Sequence, residues 1–179
     1  MNDGKTLEQR QIYKGKVVDL VVERVELPNG SVTELEVIRH PGAAAMVPLT
    51  AEGRILLVRQ YRHATTGWLL EVPAGKLDPG EAPEVCAARE LEEEVGFGTR
   101  DLISLGWIWT TPGFTNEKIW LYLARDLVAG HQALEGDEVL TVESVPLDKA
   151  IAMVHEGEIC DGKSVCALLR AAAYLEAER

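Results

Sequence analysis

Basic residues are few. Against 29 Asp and Glu, the 179-residue chain sets only 18 Lys and Arg, a formal net charge of −11. A protein that grips nucleic acid through its phosphates carries the opposite balance, so nucleic-acid binding, mRNA decapping included, is disfavoured. No basic stripe interleaved with aromatics offers another route to it. Long apolar runs are missing too. Charged residues interrupt every hydrophobic stretch before the roughly 18 residues that a membrane-spanning helix needs. The opening MNDGKTLEQRQ is polar and lacks the apolar core of a secretory signal. Cysteine is sparse: Cys86, Cys160 and Cys166 form an odd set at no metal-ligand spacing. That argues against a disulfide scaffold or zinc finger and predicts a reduced, cytoplasmic compartment, with the thiols as small buried hydrophobes. What is abundant is 46% hydrophobic and 26% charged residues, the make-up of a globular domain with a sizeable core.

The first forty residues read as strands. Val17 to Val22 is β-branched, Val25 and Leu27 lead to a turn at Pro28-Asn29-Gly30, and Val32 to Ile38 alternates as the returning arm of a hairpin. Beyond Pro41-Gly42, strands are predicted at Ala43 to Leu49, Arg54 to Tyr61 and Trp68 to Pro73. Others follow at Leu102 to Thr110, Ile119 to Ala124 and Val139 to Val145. Asp148 is expected to cap a helix over 149–155, and Asp161 or Ser164 to open another running through Glu176. Trp107, Trp109 and Trp120 are expected in the core or at a dimer contact. Mixed helices and strands imply an α/β or α+β sandwich.

One helix is marked at both ends. Pro83 suits the first helical position, Glu84 the positive helix start, and Gly96 the left-handed C-terminal cap. Between them Val85, Ala88, Leu91 and Val95 recur at three- and four-residue intervals as an apolar stripe. On this helix Glu90, Glu93 and Glu94 converge, with Arg89 the only helix-borne cation nearby and able to partner Glu93. The carboxylates repel one another close to the negative end of the helix dipole. Two readings are open: a solvated acidic face, or a site where a divalent cation neutralises the cluster. Hard oxygen ligands suit Mg²⁺, or Mn²⁺, better than zinc. Glu81, near the helix start after a Gly-containing loop, and Arg89, placed to orient a carboxylate, favour the cation.

The same residues resemble a known pattern. Gly75, five residues, Glu81, seven residues, then Arg89-Glu90-Leu91-x-Glu93-Glu94-x-Gly96-Phe97 matches the Nudix box at all nine specified positions. The resemblance implies a Nudix-type α/β/α sandwich with a mixed sheet over residues 41–179. An N-terminal antiparallel β-hairpin or sheet extension, residues 1–40, would serve dimerisation. Glu90 and Glu94 would be the main metal ligands, joined by Glu93, Glu81 and the backbone carbonyl of Ala74, with Glu81 and Arg89 an orienting pair.

The flanks resemble one subfamily, the ADP-ribose pyrophosphatases. Leu70-Glu71-Val72-Pro73-Ala74-Gly75 carries the likeness, with Arg59-Gln60-Tyr61-Arg62 upstream and Thr111-Pro112-Gly113-Phe114-Thr115-Asn116-Glu117 downstream. Gly157 through the final helix adds to it. Arg62 would then bind the diphosphate, Gly113 would allow close backbone approach to a ribose or phosphate, and Glu117 would reach the terminal ribose or the metal-bound water. Val17 and Glu36, supplied by a second subunit, would contact the base. Glu138 is the expected general base, with Asp137 and Glu135 of the same acidic loop as alternatives. The implied activity is Mg²⁺-dependent hydrolysis of ADP-ribose or a related nucleoside diphosphate sugar by a homodimer. GDP-mannose or UDP-glucose is the alternative substrate. A non-catalytic nucleotide-sensing module is a more distant reading, because the box carboxylates are all present.

Overall fold

The computed structural model describes residues 3–179 apart from Thr66, Glu135 and Asp137. The chain divides into two compact units, Met1–Gly42 with Trp109–Lys118, and Ala43–Ile108 with Ile119–Arg179.

In the first unit, β1 (Lys5–Lys14), β2 (Asp19–Glu26) and β3 (Val32–Arg39) form an antiparallel sheet in the order β1-β2-β3. The β2–β3 turn falls at Pro28-Asn29-Gly30, where Gly30 takes φ 82° and donates to the Leu27 carbonyl. Strand β1 turns the expected hairpin into a three-stranded sheet. All ten of its residues are exposed, and KTLEQRQIYK has no apolar alternation to announce it. Val17 lies in the bend between β1 and β2, 71% exposed, and so is not a strand residue.

The second unit holds two sheets. One, in the order β7-β4-β9-β8, is mixed. In it β4 (Ala43–Pro48) pairs parallel with β9 (Lys118–Ala129) and antiparallel with β7 (Ala74–Lys76), while β8 is Phe97–Trp109. The other is antiparallel, with β5 (Arg54–Arg62) between β6 (Gly67–Glu71) and β10 (Leu140–Pro146). All six residues of β4 are buried, as a strand covered on both faces requires. Its side chains alternate between two cores. Ala43, Ala45 and Val47 join Leu121 and Leu123 against α2 (Leu147–Glu156) and α3 (Gly162–Ala177). Ala44 and Met46 join Tyr122 and Ala124 against Cys86, Ala87 and Leu91 of the box helix. This is the α/β/α sandwich implied by the box.

Several local expectations change. Asp148 is not the cap of α2: Pro146 holds that position, and Asp148 sits in the first turn accepting the Lys149 amide. Asp161 does cap α3, accepting the Ser164 N–H at 3.0 Å. Only Cys86 is a buried thiol, since Cys160 is exposed and Cys166 partly so. Of the tryptophans expected in the core or at a dimer contact, Trp120 packs against a core, while Trp107 and Trp109 are about half exposed, at 44% and 48%, which leaves the dimer contact for those two.

Candidate active site

The box helix begins as α1 (Pro83–Glu90) and ends in one wide π-type turn, Leu91–Val95, closed by Gly96 at φ 79°. A side chain at Gly96 would be strained in that left-handed conformation, so the glycine is what allows the helix to stop there. Burial of Cys86, Ala87, Leu91 and Val95 fixes the helix rotation. That rotation carries Glu90 and Glu94 inward, where they are 8% and 2% exposed.

Arg89 is the hub of the carboxylates. Its Nε and Nη2 grip Glu81 Oε1 and Oε2 at 2.9 and 3.0 Å, while Nη1 donates to Glu90 Oε1 at 2.7 Å and Glu93 Oε2 at 2.8 Å. The fork of the guanidinium makes this possible, because one planar group presents donors on two edges. Glu94 is held from elsewhere: the Ala74 N–H donates to its Oε2 at 2.9 Å. Of the five predicted box ligands, Glu81, Glu90 and Glu93 are thus gathered on one guanidinium, while Glu94 is tied to the backbone amide of Ala74. Gly75 stands against Glu90, and a Cβ there would overlap the carboxylate. Among the described residues, no three acidic, His or Cys side chains converge as a ready-made ion site. Arg89 lies between the carboxylates instead.

The electrostatics divide the glutamates. The Arg89 bonds, helped by the Asp78 N–H, hold Glu81 down to about 2. Burial pushes Glu90 up, opposed by Arg89. Burial also pushes Glu94 up to about 8, against the Ala74 N–H, and the charges of Glu90 and Glu138 add to the rise. Glu138 is therefore close enough to be felt by both inner carboxylates. Asp137 and Glu135, its alternatives, lie outside the described residues.

Arg62 stands at the end of β5, bound to the buried Glu71 through Nε–Oε1 at 3.0 Å and Nη2–Oε2 at 2.9 Å. This pair extends into a network with no sequence-local signal. Lys163 Nζ reaches Glu71 Oε2 at 2.5 Å and Asp161 Oδ2 at 2.9 Å, and Ser164 Oγ donates to Asp161 Oδ2 at 2.6 Å. Burial would raise Glu71, but Arg62 and Lys163 outweigh it and leave the carboxyl below its ordinary value.

The remaining predicted residues lie in the first unit. Glu117 accepts the Thr110 hydroxyl at 2.7 Å and faces His40 Nε2 at 3.7 Å. Gly113 sits in the Thr111–Thr115 turn with open space where a Cβ would point. Glu36 is exposed on β3 opposite Val22, and Val17 is in the β1–β2 bend.

This arrangement agrees with what the chain resembles. The family model of the NUDIX domain matches residues 39–168. An ADP-ribose pyrophosphatase of Bacillus subtilis (strain 168) is 42% identical over 166 residues, 92% of this chain and 90% of its own. A methanol dehydrogenase activator of Bacillus methanolicus is 43% identical over 166 residues with the same two coverages, 92% and 90%. The crystal structure of an ADP compounds hydrolase superposes with a TM-score of 0.86 at 24% identity, over 99% of this chain and 97% of that one, which bears on the fold. The chain belongs to the Nudix family of hydrolases, enzymes that generally use divalent metal ions. Among the described residues no helix is long and apolar enough to cross a membrane.

Proposed function

We propose that the chain hydrolyses the phosphoanhydride bond of ADP-ribose or a related nucleoside diphosphate sugar, giving a nucleoside monophosphate and a sugar phosphate. It does so with Mg²⁺, for which Mn²⁺ can substitute, as a cytoplasmic homodimer. The observation that carries the reading is the inner carboxylate pair on the box helix. Glu90 and Glu94 are buried beside each other, and burial opposes the charge on both. A hard divalent cation fits that donor set, because it supplies the opposite charge that the burial lacks. Glu90, Glu94, Glu93, Glu81 and the Ala74 carbonyl are the groups that would hold it. Once bound, such an ion draws charge off the diphosphate and acidifies water.

The chain's own side chains do the rest. Arg89 keeps Glu81, Glu90 and Glu93 in one orientation, so the carboxylates are set before substrate arrives. Arg62 offers charge-assisted bonds to the diphosphate, which a chain of net charge −11 would otherwise repel. Glu138 takes the proton of the attacking water as its oxygen bonds to phosphorus and the P–O–P bridge breaks. Glu117 and Gly113 contact the terminal ribose side, and Val17 and Glu36 of the partner copy contact the base. Residues 1–40 are the dimerisation extension and 41–179 the hydrolase domain. The apolar surface exposed at Leu7, Ile12, Tyr13, Val32 and Leu35 supports the dimer, and three free cysteines support a reducing compartment.

A panel of ADP-ribose, GDP-mannose and UDP-glucose assayed in Mg²⁺ tests the substrate, with AMP and ribose 5-phosphate expected from the first. Glu94→Gln tests the site: kcat is expected to fall at least about 10²–10³-fold with the fold intact. A fully active Glu94→Gln protein would remove the ligand assignment.

A further inference from the structure

We propose that Lys163, at the start of the C-terminal helix, is a positioning residue that sets Arg62 for the substrate diphosphate by clamping Glu71 between two cations. The inference rests on the hydrolase reading above and adds a residue to it.

Glu71 is 1% exposed and receives three charge-assisted bonds, two from Arg62 and one from Lys163. Arg62 spends its Nε and Nη2 on Glu71, and among the described residues its Nη1 donates to nothing. With 40% of its side chain exposed, Arg62 is thus held by one edge while the other is left to an anion. A lone arginine at a strand end would sample many rotamers, and the Glu71 fork removes that freedom beforehand.

The fork is itself held. Lys163 is 12% exposed, on the second residue of α3, where a cation opposes the positive end of the helix dipole. Nothing in helix stability calls for a lysine there. Two acceptors account for it, Glu71 at 2.5 Å and Asp161 at 2.9 Å. The four charges Arg62, Glu71, Lys163 and Asp161 balance to zero. Taking them out of water costs about as much as their attraction returns, so what such a quartet supplies is direction rather than stability.

The same helix start also fixes the chain that leads into the box. Ser164 is fully buried, and its Oγ accepts the Val72 N–H at 2.9 Å while donating to Asp161. Two residues on, Ala74 donates to Glu94. One helix terminus therefore holds both the arginine and the strand that carries Ala74.

The test is a double-mutant cycle on the full-length protein with Mg²⁺ and ADP-ribose. Lys163→Met and Arg62→Ala are each expected to lower kcat/KM about 10–100-fold, mainly through KM. The double variant is expected to be no worse than Arg62→Ala, because Lys163 acts through Arg62. Lys163→Arg, which keeps the charge and the reach, should recover most of the loss. Mn²⁺ binding without nucleotide should be unweakened in Lys163→Met. If Lys163→Met does not fold, Lys163→Gln carries the same cycle. Additive losses, or a lower Tm with unchanged kcat/KM, would overturn the inference while leaving the hydrolase reading intact. A wild-type chain that turns over no nucleotide sugar would overturn both.

Discussion

Gly75 and Glu90 occupy space that only one side chain can fill. A Cβ on Gly75 would lie 1.8 Å from Glu90 Oε1 and 1.9 Å from its Cδ. The obstacle is the tip of a flexible side chain rather than backbone, so the glycine serves the carboxylate's position and not the fold.

Gly75→Ala should therefore fold and fail to work. We expect a Tm within a few degrees of wild type and kcat lowered about 10²-fold or more, as Glu90 swings away from Arg89. Thermal denaturation and steady-state kinetics on the same preparation check it. Near-normal turnover would mean that Glu90 functions from another rotamer.

The pH dependence of stability without metal should carry the mark of Glu94. Its folded pKa, about 8, lies above the ordinary 4.5, so the folded state binds the proton more tightly. That contribution is complete below about pH 4.5 and is lost as pH rises toward and through 8. Glu71 and Asp161 are shifted the other way, so their contributions are present above their ordinary values and disappear only in acid. In EDTA, Tm should fall between pH 5 and 8.5, and the fall should be shallower in Glu94→Gln. Mg²⁺ should raise Tm more at pH 8 than at pH 6. Identical slopes in the two proteins would exclude Glu94 as the source.

Removal of residues 1–40 should separate assembly from folding of the remainder. Ten consecutive exposed residues in β1, with Leu7, Ile12 and Tyr13 among them, form a surface that an isolated small sheet does not sustain in water. Sedimentation should report a dimer for the full chain and a monomer for the truncated one, with kcat/KM reduced at least about a hundredfold. A monomer that retains activity would refute completion of the base site by a second copy.

The box helix was the most legible part of the molecule. Pro83 and Gly96 mark its two ends, and the structure has both. Of the expected stripe, Leu91 and Val95 are buried, but Val85 and Ala88 are exposed, and Cys86 and Ala87 face the core in their place. Its last turn widens to a π turn, which no residue in Leu91–Val95 announces. Spacing likewise put Glu93 on Arg89, because helical periodicity turns sequence distance into spatial distance, whereas Glu94 is held by the Ala74 amide instead. The Arg62–Glu71–Lys163 network had no such signal. Glu71 and Lys163 are 92 positions apart, and only the fold, which sets the start of α3 against the last residue of β6, joins them. β1 escaped for a different reason: with every residue exposed, it has no buried face to impose a two-residue period.

The thiols are unequal. Burial, then the Glu90 charge, pushes Cys86 up to about 12, so it stays protonated and inert at neutral pH. Cys160 is open to solvent one residue before the cap of α3. A maleimide fluorophore would therefore react there first. It would attach beside the Lys163 clamp, where its emission could follow nucleotide arrival in real time without any engineered label site.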